Sequence, residues 1–68
     1  MFSKIVRYAL VDQNLSIAEL ARRMDTSREN LAAKIKRDNF SERDMQKIAD
    51  TLNLKLEIRL VDKSNEVR

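Results

Sequence analysis

Apolar residues recur at helical spacing in four short segments of this 68-residue chain, and this periodicity restricts the fold more than any other feature. Apolar residues at positions i, i+3, i+4 and i+7 give a helix one face to bury. The first segment starts at Ser3 or at the chain terminus and is closed by the polar residues 12–14. In chain order, the apolar positions are Phe2, Ile5, Val6, Ala9 and Leu10; Ile17, Leu20, Ala21 and Met24; Leu31, Ala32 and Ile35; Met45, Ile48, Ala49 and Leu52. We therefore predict a mainly α-helical fold with four short helices.

Serines mark the start of the second, third and fourth predicted helices. A serine hydroxyl at the N-cap accepts a hydrogen bond from a backbone N–H that has no partner inside the helix. Ser16 and Glu19 have the spacing of a capping box, in which the carboxylate also reaches back to the backbone N–H of the cap. Ser41 and Asp44 have the same spacing, with aspartate in place of glutamate. Ser27 starts a helix that we expect to run to about residue 37, after only a tight turn from the second helix.

The apolar period changes after Asn53, a residue type that tolerates the left-handed conformation closing many helices. Apolar and charged residues then alternate strictly: Leu54, Lys55, Leu56, Glu57, Ile58, Arg59 and Leu60. A period of two is that of a β-strand with one buried face. We predict one C-terminal strand over residues 54–61, which completes a single domain of residues 1–61, and a polar tail over residues 62–68.

The composition argues against an enzyme and against a metal site. The chain has no cysteine, no histidine and no glycine. A zinc or iron site would therefore have to use carboxylates alone, which suit those metals poorly. The commonest general base and the best side-chain nucleophile are missing, and no glycine-rich loop can cradle a nucleotide. We expect a binding module with no cofactor, no metal and no small-molecule ligand.

The apolar runs also bear on location. The longest are only a few residues, against the roughly 20 that cross a bilayer. The first residues lack the uninterrupted apolar stretch and the cleavage site of a signal peptide. We expect a cytoplasmic protein that does not enter a membrane.

Positive charge is concentrated in one part of the chain. The formal net charge of +3 divides into zero over residues 1–21, +4 over residues 22–37 and −1 over the remainder. Concentrated basic charge attracts phosphate and supplies most of the affinity for nucleic acid that does not depend on sequence. A solvated helix face also carries lysine and arginine, so charge alone leaves both interpretations open.

Two short helices joined by a tight turn, with basic charge on the second, have the pattern of a helix-turn-helix. Residues 15–54 resemble the XRE or Cro/repressor-like family of bacterial and phage DNA-binding domains. The pieces that carry the resemblance are Ser16, Glu19-Leu20-Ala21, Asp25-Thr26, Ser27-Arg28, and Ile48-Ala49 with Leu52. The chain departs from the family in two places. The turn position that is usually glycine is Asp25, for which we expect a modest stability cost, and a strand replaces the usual fifth helix.

The resemblance implies that the helix over residues 27–37 enters the major groove of double-stranded DNA. It places Arg28, Glu29, Ala32 and Ala33 at the bases, where Arg28 suits guanine and Glu29 suits cytosine. Arg28 could instead contact a phosphate or lie in solvent, and Glu29 is also favoured at a helix N-terminus by the helix dipole alone. The expected DNA-binding residues are Ser27, Arg28, Glu29, Asn30, Ala32, Ala33, Lys34, Lys36, Arg37 and Arg43, of which Lys34, Lys36, Arg37 and Arg43 are expected to hold phosphates.

A single strand leaves its backbone groups unpaired, and the chain has no second segment with strand periodicity. We therefore expect the strand to pair antiparallel with that of a second copy, in a homodimer. A two-fold axis at Ile58 sets Glu57 opposite Arg59 twice, whereas an axis at Glu57 would oppose like charges. The expected dimer residues are Leu56, Glu57, Ile58, Arg59 and Leu60.

The leading hypothesis is a small phage or bacterial transcriptional regulator that binds a near-palindromic operator as a homodimer. The alternative is a protein-interaction module, such as an antitoxin or an anti-regulator, on the same helical scaffold. Arg28 and the basic cluster at 34–37 separate the two, because a domain that binds only protein would not need them.

Overall fold

The computed structural model describes residues 1–62 and contains four helices in that part of the chain. They are α1 (Phe2–Asp12), α2 (Ile17–Arg23), α3 (Arg28–Arg37) and α4 (Glu42–Thr51). The four predicted helices and their approximate bounds are confirmed. None of the helices in residues 1–62 is long and apolar enough to span a bilayer.

The three serines cap their helices as predicted. The hydroxyl oxygens of Ser16, Ser27 and Ser41 accept hydrogen bonds from the backbone N–H three residues later, at 3.0, 3.0 and 3.1 Å. The box at Ser41 is complete, because the Asp44 carboxylate accepts from the backbone N–H of Ser41 at 3.1 Å. Of the two hydrogen bonds of the predicted box at Ser16, only the one accepted by the serine hydroxyl is formed. Its carboxylate, that of Glu19, binds two arginines one turn later instead of returning to the cap.

The start of α1 is capped from outside the helix. Of the two starts that the sequence allows, the structure has the chain terminus, with Met1 at the N-cap, while Ser3 lies inside α1 and is buried. The Asp38 carboxylate at the end of α3 accepts the backbone N–H of Ser3 at 2.9 Å and also pairs with the amino terminus of Met1. The Ser3 hydroxyl donates to the backbone carbonyl of Ile35 at 2.6 Å. These bonds join the first turn of α1 to the last turn of α3.

The core is formed by one apolar cluster to which all four helices contribute. Its buried members are Val6, Leu10, Leu20, Ala21, Met24, Leu31, Ile35, Ile48 and Leu52. Phe40 packs against this cluster and meets the ring of Phe2 edge-on, with 5.1 Å between the ring centroids. Ile5, predicted on the buried face of α1, is instead 60% exposed. It borders a groove between α1 and α4 that the neighbouring elements do not fill.

The predicted strand is not formed within the described residues. Residues 54–62 have neither helix nor strand pairing, and residues 1–53 contain no strand to which they could pair. Leu56 is half-buried and borders a groove together with Phe2 and Ile5, while Ile58 and Leu60 are exposed. The strand therefore stays a prediction that requires a second chain. Of the predicted polar tail, residues 63–68 lie outside the described residues.

Candidate nucleic-acid interface

The connection between α2 and α3 consists of residues 24–27. Met24 is buried, and Asp25 adopts a left-handed conformation with φ of 60°. The backbone N–H of Asp25 bonds the carbonyl of Arg22 at 3.1 Å, and that of Thr26 bonds the carbonyl of Ala21 at 3.0 Å. These two bonds close α2 in a Schellman motif and turn the chain directly into the cap of α3. The turn is thus built without glycine.

The exposed surface of α3 consists of three parallel rows of side chains. Residues four apart lie on the same side of a helix, and Leu31 and Ile35 hold one side in the core at 1% and 3% exposure. We call the other three sides the α1-side row (Arg28, Ala32 and Lys36), the central row (Glu29, Ala33 and Arg37) and the α4-side row (Asn30 and Lys34). A helix of this length is about 15 Å long, so the α1-side row and the central row carry their charged residues near the two ends of the helix.

The central row faces furthest from the core. Glu29 and Arg37 are exposed at opposite ends of it, and Ala33 between them is half-buried. The small side chain of Ala33 leaves a shallow recess that is also bordered by Thr26 and Asn30. Backbone and small side chains at this point allow close approach of another molecule, and the charged groups on either side supply polar contacts.

In the α4-side row, the lysine that we expected to contact phosphate already has an ion-pair partner. The ammonium group of Lys34, an expected phosphate contact, lies 3.0 Å from the carboxylate of Asp44 in the first turn of α4. The hydrogen bond from the Ser41 backbone, and then the one from Lys34, lower the pKa of Asp44 below its usual value of 3.8. Arg43, beside Asp44 on α4, is exposed. The charge of Lys34 is therefore partly compensated within the chain.

The basic stretch at 22–37 is divided by its ion pairs. Arg22 and Arg23 both bind Glu19, and the hydrogen bond from Arg22 is the largest cause of a lowered pKa at that carboxylate. Lys34 pairs with Asp44. Among residues 1–62, the basic side chains of this stretch that form no ion pair with a carboxylate are those of Arg28, Lys36 and Arg37. All three are on α3.

Two of the predicted DNA-binding residues have structural roles of their own. The hydroxyl oxygen of Ser27 accepts from the backbone N–H of Asn30, so both are used in capping α3. The Asn30 side chain stays exposed beside Thr26 and Ala33. A serine hydroxyl that accepts in this way still has its own proton to donate.

The predicted dimer residues lie apart from α3. Leu56, Glu57 and Ile58 border a surface groove with residues of α1 and α4, and no residue of α3 lines it. Glu57 pairs with Lys55 at 3.6 Å within the chain. The groove that Leu56, Glu57 and Ile58 border is therefore separate from the exposed surface of α3.

No protein-family model, curated protein sequence or solved structure matches this chain.

Proposed function

We propose that the chain is a sequence-specific regulator that binds double-stranded DNA with α3 in the major groove. The observation that carries the proposal is the surface of α3. Three cations without a carboxylate partner in residues 1–62, Arg28, Lys36 and Arg37, surround two small residues on a helix that directly follows a tight turn. This combination suits a polyanion that approaches the helix closely.

The two ends of α3 have different roles in this proposal. Arg28, at the N-terminal end, reaches guanine O6 and N7 with both guanidinium branches, and Glu29 accepts from cytosine N4. Ala32 and Ala33 let the helix lie deep in the groove. Lys36 and Arg37, with Arg43 on α4, contact phosphates and fix the position of the helix without reading sequence. Lys34 contributes less than a free lysine, because Asp44 already compensates its charge.

In this proposal, the C-terminal segment forms the interface of a homodimer. Residues 54–61 pair antiparallel with the same segment of a second copy about a two-fold axis at Ile58, and this brings Glu57 opposite Arg59. The exposure of Ile58 and Leu60 supports such a partner, since burying them gains hydrophobic free energy. A dimer presents two copies of α3 to half-sites about 34–36 Å apart, or one turn of DNA.

Selection of bound sequences from a random duplex pool tests the specificity directly. We expect the enriched pool to contain a near-palindrome with half-site centres about 10 base pairs apart. Arg28→Ala should remove the preference at one position of each half-site, at a cost of about 1–3 kcal/mol in discrimination. Lys63→Ala, which removes a positive charge from the predicted polar tail, should select the same sequence as the wild type. A pool that shows no enrichment over its input would contradict the proposal.

A protein-interaction module is the second candidate, and the exposed apolar side chains of α1 favour it. Ile5, Tyr8 and Val11 are 60, 64 and 79% exposed. A module that binds protein through α1 would keep its partner when the cations of α3 are removed. Arg28→Gln with Arg37→Gln therefore separates the two candidates, because these changes should abolish DNA binding and leave partner binding intact.

A further inference from the structure

Two basic side chains of α1 lie beside the α1-side row of α3. A surface groove between these helices is bordered by Lys4 and Arg7 from α1 and by Ile35 and Lys36 from α3. All three cations are exposed. The sequence alone gives no reason to group Lys4 and Arg7 with Lys36, because they are far from residues 22–37 in the chain.

The spacing of the two helices at this groove is fixed by hydrogen bonds. The buried Ser3 hydroxyl donates to the Ile35 carbonyl at 2.6 Å, and the Ser3 backbone N–H donates to Asp38 at 2.9 Å. Lys4 follows Ser3 directly, and Lys36 follows Ile35. The backbone atoms that carry these two lysines are therefore held in place before any ligand binds.

The groove has an excess of positive charge. Its one carboxylate, that of Asp38, already binds the amino terminus and the Ser3 backbone. Lys4, Arg7 and Lys36 have no ion pair with a carboxylate in residues 1–62. The ammonium group of Lys4 is 5.9 Å from the Tyr8 ring, a weak contact that leaves its charge in place. Like charges that converge without a counter-ion attract an external anion.

We infer that this α1–α3 groove holds a phosphate of the DNA backbone while α3 lies in the major groove. The inference rests on the proposed function and extends the binding surface from α3 onto α1. The α1-side row continues from Arg28 through Lys36 to the cations of α1, so one strand of the duplex would follow it. Contacts of this kind fix the orientation of a recognition helix and carry no information about sequence.

The test is the salt dependence of binding to a fixed duplex, measured by fluorescence anisotropy for the full chain. The slope of log affinity against log salt is negative, and removing one cation that neutralises a phosphate should make it less negative by about 0.9. We expect this change for Lys4→Gln and again for Arg7→Gln. Lys63→Gln makes the same charge change in the predicted polar tail, outside both the groove and the proposed dimer segment, and should leave the slope unchanged. Because the side chains of Lys4 and Arg7 are exposed, thermal unfolding should confirm that the variants fold like the wild type.

The outcomes separate this inference from the proposed function. If Lys4→Gln and Arg7→Gln bind DNA with the same salt slope as the wild type, the role of the groove is overturned and the proposed function is not. A change in the selected DNA sequence would also overturn it, because removal of a phosphate contact weakens binding to all sequences equally. A wild-type chain that binds no duplex overturns both.

Discussion

At the scale of single residues, two aspartates and two asparagines take the left-handed conformation after the helices, a position where glycine is common in other proteins. Asn14, Asp25, Asp38 and Asn53 have φ of 56, 60, 54 and 58° and follow the four helices. Each is accompanied by the backbone bonds of a helix-closing motif, for example from Leu15 to Leu10 at 2.8 Å. A left-handed residue with a Cβ atom costs free energy that glycine does not, and short polar side chains reduce that cost.

The cost at Asp25 can be measured. Asp25→Gly should raise the free energy of unfolding by about 0.5 kcal/mol, because glycine adopts this φ without steric strain but loses more backbone entropy on folding. Asp25→Ala is the matched control and should lower the stability by about 1 kcal/mol. Urea unfolding of the three proteins gives both values. A destabilised Asp25→Gly would mean that the Asp25 side chain makes a contribution which its backbone conformation does not reveal.

At the scale of elements, local signals and long-range contacts differ in how far the sequence predicts them. The caps at Ser16, Ser27 and Ser41 join residues three apart, so the pattern of the chain contains them. The bond between Ser3 and Asp38 joins residues 35 apart. It depends on how α1 packs on α3, which periodicity does not specify.

In the candidate site, too, the local features could be predicted from the sequence and the contacts between helices could not. The helix that carries Arg28 and Arg37 was predictable, because apolar spacing and a serine cap define it. The pairing of Lys34 with Asp44, ten residues away on another helix, was not. The exposure of Ile5 was also missed, because helical spacing marks the apolar side of a helix but not how much of that side its neighbours cover.

The junction of α3 and α4 predicts a pH dependence. The pKa of Asp44 is lowered first by the Ser41 backbone N–H and then by Lys34. A carboxylate with a lowered pKa stabilises the fold fully above its unfolded value and loses that contribution as pH falls through its folded value. The stability difference between the wild type and Asp44→Asn should therefore be largest near neutral pH and shrink below about pH 3.8.

Lys34→Gln separates the two causes at Asp44. Since the Ser41 backbone bond, the largest single cause of the lowered pKa of Asp44, is kept in this variant, it should retain part of the acid dependence. Unfolding free energies from pH 7 to pH 2 check both expectations. A difference between the wild type and Asp44→Asn that stays constant with pH would contradict them.

At the scale of the whole molecule, the described residues form a small core and leave much apolar surface uncovered. The fully exposed or largely exposed apolar side chains lie mainly on α1 and on residues 54–61, and they are Met1, Ile5, Tyr8, Val11, Leu54, Ile58, Leu60 and Val61. A chain of this size buries too little surface to be very stable alone. The proposed homodimer would cover part of this surface and set the distance between two copies of α3.

A charge exchange tests the register of that dimer. With the axis at Ile58, Glu57→Arg opposes two arginines and Arg59→Glu opposes two glutamates, so each should weaken the dimer by about 1 kcal/mol per pair. The double variant restores opposite charges and should dimerise like the wild type. Sedimentation at micromolar concentration measures all four proteins. A monomeric wild type, or single variants that associate normally, would contradict the proposed pairing.

The central claim is that α3 binds duplex DNA through its unpaired cations, and equilibrium binding to a random duplex at low salt tests it most directly. We expect the wild type to bind, with a dissociation constant of about 10⁻⁴ to 10⁻⁶ M once physiological salt is restored. Replacing Arg28, Lys36 and Arg37 with glutamine should abolish this binding, while Lys55→Gln should retain it. No binding by the wild type at low salt, or binding that survives the triple replacement, would contradict the account.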